Sequence, residues 1–229
     1  MRKLLFLCTM MLCAVAIQAQ SVFSSVKDSP EAEKTEFLSK VTIRPTIGLN
    51  FSNTNVKDGN TSDFLTSFKV GAIADYALKR DWGLRTGIIF TGQGGKWDQT
   101  VDGGWLGWSL EATENPWYLE IPLDVYADLF KYKDFNFTVF AGFPLEFGIF
   151  GNNKIKDGGK GNASVADTSH GAFESLNRFA FCFNFGIEAE WKKFVLGFEY
   201  NRHLTNDAKT GGTSHINVLT LNLGYNFKL

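Results

Sequence analysis

Six charged residues could do very different things depending on their surroundings: Arg44, Asp75, Arg85, Asp124, Glu188 and Glu199. In water they are ordinary solubilising groups, but away from water each needs an opposite charge to offset desolvation. Three histidines, His170, His203 and His215, with Ser214 beside the last, offer a nucleophile and a base. A working Ser–His pair needs a third, orienting group, and no spacing singles one out, so the histidines read as ordinary loop residues. The Gly-rich runs Gly92-Gln93-Gly94-Gly95-Lys96, Gly158-Gly159-Lys160-Gly161 and Gly211-Gly212-Thr213 lack the spacing of a phosphate-binding loop and read as flexible loop. Trp97, Trp105 and Trp108 lie among glycines and acids. Exposed aromatics mark binding surfaces, although packing of this stretch on itself is the plainer reading. No catalytic residue, metal site or cofactor is expected.

Which of these readings holds depends on the elements that carry the residues. The chain has 229 residues, 15% of them aromatic, with 22 Phe, 23 Gly and a formal net charge of −1. That aromatic content excludes a disordered chain, and balanced charge gives no footprint for nucleic acid, whose phosphates call for a basic excess.

Arg2 and Lys3 precede the apolar run from Leu4 to Ile17, and Ala19 closes it. This is the form of a secretory signal peptide, too short for a spanning helix. Cleavage is expected after Ala19, which would remove Cys8 and Cys13 and leave Cys182 without a disulfide partner. The expected organisation is a signal peptide over 1–19, a periplasmic segment over 20–40 and one domain over 41–229.

Beyond the signal no run approaches 18 consecutive apolar residues, so no spanning helix is expected. Period-two alternation recurs instead, in segments near 41–52, 67–79, 82–93, 116–129, 135–149, 179–191, 194–204 and 215–229. Phe179, Phe181, Phe183, Phe185 and Ile187 oppose Ala180, Cys182, Asn184, Gly186 and Glu188 in one of them. Throughout, one face is apolar and aromatic while the other holds most of the Gly, amide and charged residues.

A small barrel has limited room inside, and eight faces this rich in Phe and Trp would overfill it. Facing lipid they fit, and the small and charged residues turn inward. The connections agree with this inverted arrangement. Short links at 79–81, 130–134 and 192–193 alternate with long polar ones near 53–66, 93–115, 150–178 and 204–214, as short periplasmic turns and long extracellular loops do. Trp82, Phe135, Trp191, Phe194, Tyr225 and Phe227 fall near the short-turn end. Phe51, Phe68, Phe90, Trp117, Phe147 and Phe179 fall near the other, giving two aromatic girdles. The expected fold is all-β, an eight-stranded antiparallel up-and-down transmembrane β-barrel.

The segments Trp117-Tyr118-Leu119-Glu120-Ile121-Pro122-Leu123, Ala141-Gly142-Phe143-Pro144, Gly186-Ile187-Glu188 and Phe198-Glu199-Tyr200, with the closing Leu223-Gly224-Tyr225-Asn226-Phe227, resemble the Bacteroidetes outer-membrane barrel family that includes PorT-like proteins. The resemblance covers about residues 40 to 229 and implies an outer-membrane location. The secretion role of PorT is not carried over, because a fold does not specify a function.

Within such a barrel Arg44, Asp75, Arg85, Asp124, Glu188 and Glu199 all point inward, three to five residues above the short turns. The expectation is a structural salt-bridge layer that plugs the lumen, with Asp75 and Arg85 paired across the second hairpin. Function then falls to the long loops: a monomeric, non-enzymatic surface or scaffold protein, in contact with outer-membrane lipid and with envelope or secretion-complex proteins. A narrow porin-like channel and a lipid-modifying enzyme are the readings it competes with.

Overall fold

A computed structural model describes residues 37–57, 59, 61–101, 108–159, 168–209 and 212–228. The expected signal peptide therefore lies outside the described residues, as does most of the segment 20–40. The chain divides into two units, residues 1–41 with 228–229, and residues 42–227. In the first, the Lys40 N–H donates to the Phe37 carbonyl at 3.1 Å.

Among the described residues, thirteen strands form one antiparallel sheet: β1 (Val41–Val56), β2 (Leu65–Lys79), β3 (Trp82–Gly92), β4 (Gly95–Val101), β5 (Trp108–Ile121), β6 (Asp124–Tyr132), β7 (Phe135–Gly142), β8 (Leu145–Gly159), β9 (Thr168–Gly171), β10 (Phe179–Trp191), β11 (Phe194–His203), β12 (Ser214–Tyr225) and β13 (Phe227–Lys228). A short helix, α1 (Ala172–Ser175), precedes β10. The sheet closes on itself, because β12 pairs with β1, opposing Leu223 to Ile47 and Leu221 to Leu49. Around the ring β1 neighbours β2, β2 pairs with β3, β3 with both β5 and β6, β10 with both β7 and β8, and β11 with β10 and β12. Counting β5 with β6 and β7 with β8, eight staves make the barrel, as the alternation predicts.

The fourth and fifth staves are each broken in two, where the sequence reads single strands over 116–129 and 135–149. The breaks fall at Pro122-Leu123 and Phe143-Pro144. A proline brings no N–H to a ladder and is found in sheets at edges and bulges. The two breaks lie side by side, held by Phe143 N–H donating to the Leu123 carbonyl at 3.1 Å. Above them β5 pairs with β8, and below them β6 pairs with β7.

Two of the long connections also differ from the sequence reading. Much of 93–115 and 150–178 continues the sheet: β4 pairs with β5 from Gly95–Glu114 to Val101–Trp108, β5 with β8 out to Gly159, and β9 with β8. The backbone groups of these stretches find partners in one another, so they form an extension above the ring where flexible loop is expected. Nor is the run from Gly92 to Gly95 loose. It is buried, and Gly94 sits at φ 141°, where a Cβ would lie 2.0 Å from the Glu114 carbonyl oxygen. The glycine lets β3 pass sideways into β4.

The faces sort as the alternation requires. Ile47, Leu49, Leu84, Ile88, Phe185, Ile187, Phe198 and Leu223 point outward and are exposed, while Arg44, Asn50, Lys69, Arg85, Glu120, Glu146, Asn184 and Thr220 are buried. That is the inverse of a water-soluble fold, and a lipid-facing surface is what removes the cost of the exposed apolar side chains. At one end Phe68 and Phe90 both lie 4.8 Å from Trp117, and Phe147 lies 5.3 Å from Phe179. At the other, Phe194 lies 5.1 Å from Tyr225 and Phe135 lies 6.4 Å from Trp191.

Candidate functional site: the lumen and its outer cap

In the half of the lumen nearer the short turns, four charges close on one another. Asp75 and Arg85 are directly opposed across β2 and β3. Arg85 Nε donates to Asp75 Oδ1 at 2.7 Å, and its Nη1 and Nη2 donate to the two Glu188 oxygens at 2.8 Å each. Arg44 reaches from β1 to the same Glu188 at 2.8 Å, with Asp75 at 3.4 Å. Two cations and two anions thus neutralise each other in a bidentate network, which the planar fork of arginine permits and a lysine would not. The stem of Arg44 lies over Gly224, where an added Cβ would sit 2.8 Å from Cδ. The glycine on β12 makes room for the guanidinium.

Asp124 and Glu199, the other two members of the expected layer, do not join this network. Asp124 is opposite Arg85 across β3 and β6, but the hydrogen bonds of Arg85 go to Asp75 and Glu188. Asp124 instead accepts from Asn184 Nδ2 at 3.4 Å. Glu199 pairs with Lys69 at 2.7 Å, and Asn222 donates to the same oxygen at 3.1 Å. Lys69 also stands 4.0 Å from Glu120, so a cation outside the expected set serves the next level up. A cavity of about 10 Å³ remains between the levels, bounded by Arg85, Glu120, Asp124, Glu188 and Glu199 among others. Such a space holds on the order of one water.

A third level lies toward the extension. His203, at the end of β11, is fully buried, where sequence reading has it as a loop residue at the rim. Its Nδ1 lies 2.7 Å from Asp207 Oδ1 and its Nε2 lies 3.1 Å from Glu146 Oε2. Gln93 Nε2 donates to Glu146 and lies 2.9 Å from His203 Nε2, and Asn201 Nδ2 donates to the other Glu146 oxygen at 2.9 Å. Cys182 is directly opposite His203 across β10 and β11. Asp207 is fixed from the backbone, since Ile216 N–H donates to its Oδ2 at 2.8 Å. His215 Nδ1 donates to the Thr205 carbonyl at 3.0 Å, and His170 lies 4.0 Å from Glu174 at an exposed position. The three histidines therefore do not assemble, and Ser214 meets the His203 cluster through its backbone, its carbonyl accepting from Asp207 N–H.

Over this level sits a cap. Tyr118, Ala172, Phe173 and Leu176 form a buried apolar cluster. Phe173 packs edge-on to Tyr118 at 5.5 Å and against Gly148, where a Cβ would lie 2.2 Å from its ring. Tyr118 in turn stands edge-on to His203 at 5.6 Å. The segment after β11 is tied to the cap by Asn177 N–H donating to the Asp207 carbonyl at 2.7 Å and Lys209 N–H to Ser175 at 2.9 Å. Apolar side chains from one connection and backbone hydrogen bonds from another thus meet over the His203 level.

Of the three tryptophans, Trp97 lies on β4 opposite Ala112 and is half-buried, and Trp108 begins β5 opposite Val101. Trp105 lies outside the described residues.

Residues 18–207 match the family described as outer membrane protein beta-barrel domain. No curated protein matches the chain. Among solved structures it is similar to Ail, the attachment invasion locus protein of Yersinia pestis, at 13% identity and a TM-score of 0.43, over 82% of this chain and 99% of that one. Neisserial surface protein A is similar at 11% identity and 0.42, over 82% and 98%. LpxR from Salmonella typhimurium is similar at 7% identity and 0.30, over 81% and 100%. On the family match, which spans most of its length, the chain belongs to the outer-membrane protein β-barrel family and is a protein of the outer membrane.

Proposed function

We propose that this protein is a non-enzymatic surface protein that works through the sheet extension above its barrel, as an interaction or envelope-scaffold element and not as a pore. The observation that carries the reading is the filled lumen: the charge network of Arg44, Asp75, Arg85 and Glu188, the Lys69 level and the Phe173 cap occupy it in succession. With passage closed, the surface left to act is β4, β5, β8 and β9, which carries Trp97 and Trp108. Attachment is what the name of Ail describes for that protein, and the same kind of role is proposed here. The partners are outer-membrane lipid and other envelope proteins, including those of a secretion complex. The chain acts as a monomer with no nucleic acid. A place beside the PorT-like proteins of Bacteroidetes, and export with cleavage after Ala19, complete the reading; they rest on the strand motifs and on the basic, apolar, small-residue order of the first 19 positions.

Two measurements test it. Purified protein in planar bilayers is expected to give no steady conductance, and stable single-channel steps would favour the channel reading. Removal of residues 97–110 is expected to cost partner recovery from outer membranes in mild detergent while leaving the barrel folded. Unchanged recovery and unchanged surface adhesion would end the proposal.

A further inference from the structure

We infer that Glu146, Cys182 and His203 form a buried binding site for a divalent transition metal of the zinc class, with Asp207 as the carboxylate that orients His203. The three side chains offer a carboxylate oxygen, a sulfur and an imidazole nitrogen, and these donor atoms all lie within 4.8 Å of one another. Bond lengths of about 2.0–2.3 Å place the donors of a tetrahedral zinc roughly 3.3–3.7 Å apart. Glu146 Oε2 and His203 Nε2 already stand at 3.1 Å. From a separation of at most 4.8 Å, closing the set to the tetrahedral spacing takes about 1.5 Å at most.

The donor set selects the class of ion. Hard cations such as calcium and magnesium take oxygen ligands in sixes to eights, whereas thiolate with imidazole suits zinc and its neighbours. A ligating histidine holds its tautomer by donating its other ring N–H to a carboxylate. Asp207 stands at Nδ1, 2.7 Å away, and is itself held by the Ile216 N–H, so Nε2 is presented toward Glu146. Gln93 brings a carboxamide to the same point, with its terminal atom 2.9 Å from His203 Nε2. Turned over, it offers its oxygen as a fourth donor.

The charges also balance. With both ring nitrogens facing carboxylates, the cluster without metal has the hydrogen-bond pattern of an imidazolium. A divalent ion entering would displace the imidazolium proton at Nε2 and the thiol proton of Cys182, both released to solvent, as metal binding to such ligands requires. Two protons leave and two positive charges arrive, so the net charge of this level does not change. All three ligands are fully buried. The ion therefore enters while the barrel folds and before the Phe173 cap seats.

The test refolds the full exported chain from urea into detergent with Co(II) or Zn(II) present, then removes free metal with a chelator. The expected result is about one equivalent of metal retained per chain, together with a thiolate-to-cobalt charge-transfer band that Cys182→Ser abolishes. Asp207→Asn is expected to weaken retention about 10- to 100-fold while keeping the band, as loss of an orienting carboxylate does. Folding of each variant is checked by heat-modifiable migration on gels. The wild-type reading stands alone if a variant does not fold: retained metal with the band upholds the site. Wild type that folds but retains no metal, or retains cobalt without the band, overturns it and leaves His203 as the centre of an ion-pair cluster only.

Discussion

The two halves of the lumen solve the same problem in different ways. Toward the short turns, Arg44 and Arg85 meet Asp75 and Glu188 in a network that is neutral in itself. Toward the extension, Glu120, Glu146, Glu199 and Asp207 are all buried beside Lys69 and His203, and Gln93, Asn184, Asn201 and Asn222 donate to Glu146 and Glu199. The inner half is held by paired charge, the outer by shared neutral donors. A paired charge is sensitive to losing its mate, because the mate is left buried and alone. A carboxylate satisfied by amides can lose its charge at far lower cost.

The largest expected effect follows from that contrast. Arg85→Met leaves both Asp75 and Glu188 short of donors and is expected to destabilise the barrel by about 3–5 kcal/mol, read by urea unfolding in phospholipid vesicles. Next comes the outside of the same strand. Ile88, adjacent to the buried Ile89, faces outward at 65% exposure, and Ile88→Arg is expected to cost about 2–4 kcal/mol in vesicles. Near-zero cost there would contradict a lipid-facing surface. Glu146→Gln, with chelator present, is expected to cost only about 1–2 kcal/mol, because the amide still accepts from Asn201 and can meet His203. A loss equal to that of Arg85→Met would erase the distinction between the halves. The smallest effect lies outside both. Lys192 holds φ 58° in the turn between β10 and β11, and Lys192→Gly is expected to add about 1 kcal/mol by relieving that conformation.

The inner half was legible from sequence for a physical reason. Strands pair in known order across short turns, so height above the turn and inward direction both follow from counting, and the Asp75–Arg85 contact is a hairpin register. What counting does not give is position around the ring. Asp124 has the right height and even the right neighbour, yet Arg85 turns to Glu188, which stands on β10 across the lumen. Lys69 has the right direction but lies farther from its turn, beyond the level three to five residues above it. His203 is the clearest loss. Its position at a strand end reads as rim, and only the fold of residues 204–209 back over the mouth, tied to α1, puts it inside. Gln93 was hidden in a Gly-rich run that looks mobile and is buried.

The extension has a consequence in distance. β5 begins nine residues beyond Trp117, the girdle residue that marks the outer edge of the apolar band. At about 3.3 Å per residue and a tilt near 40°, that carries its tip roughly 20 Å past the girdle. The headgroup layer is thinner than this, so the paired ends of β5 and β8, Trp108 opposite Gly159, stand clear of it.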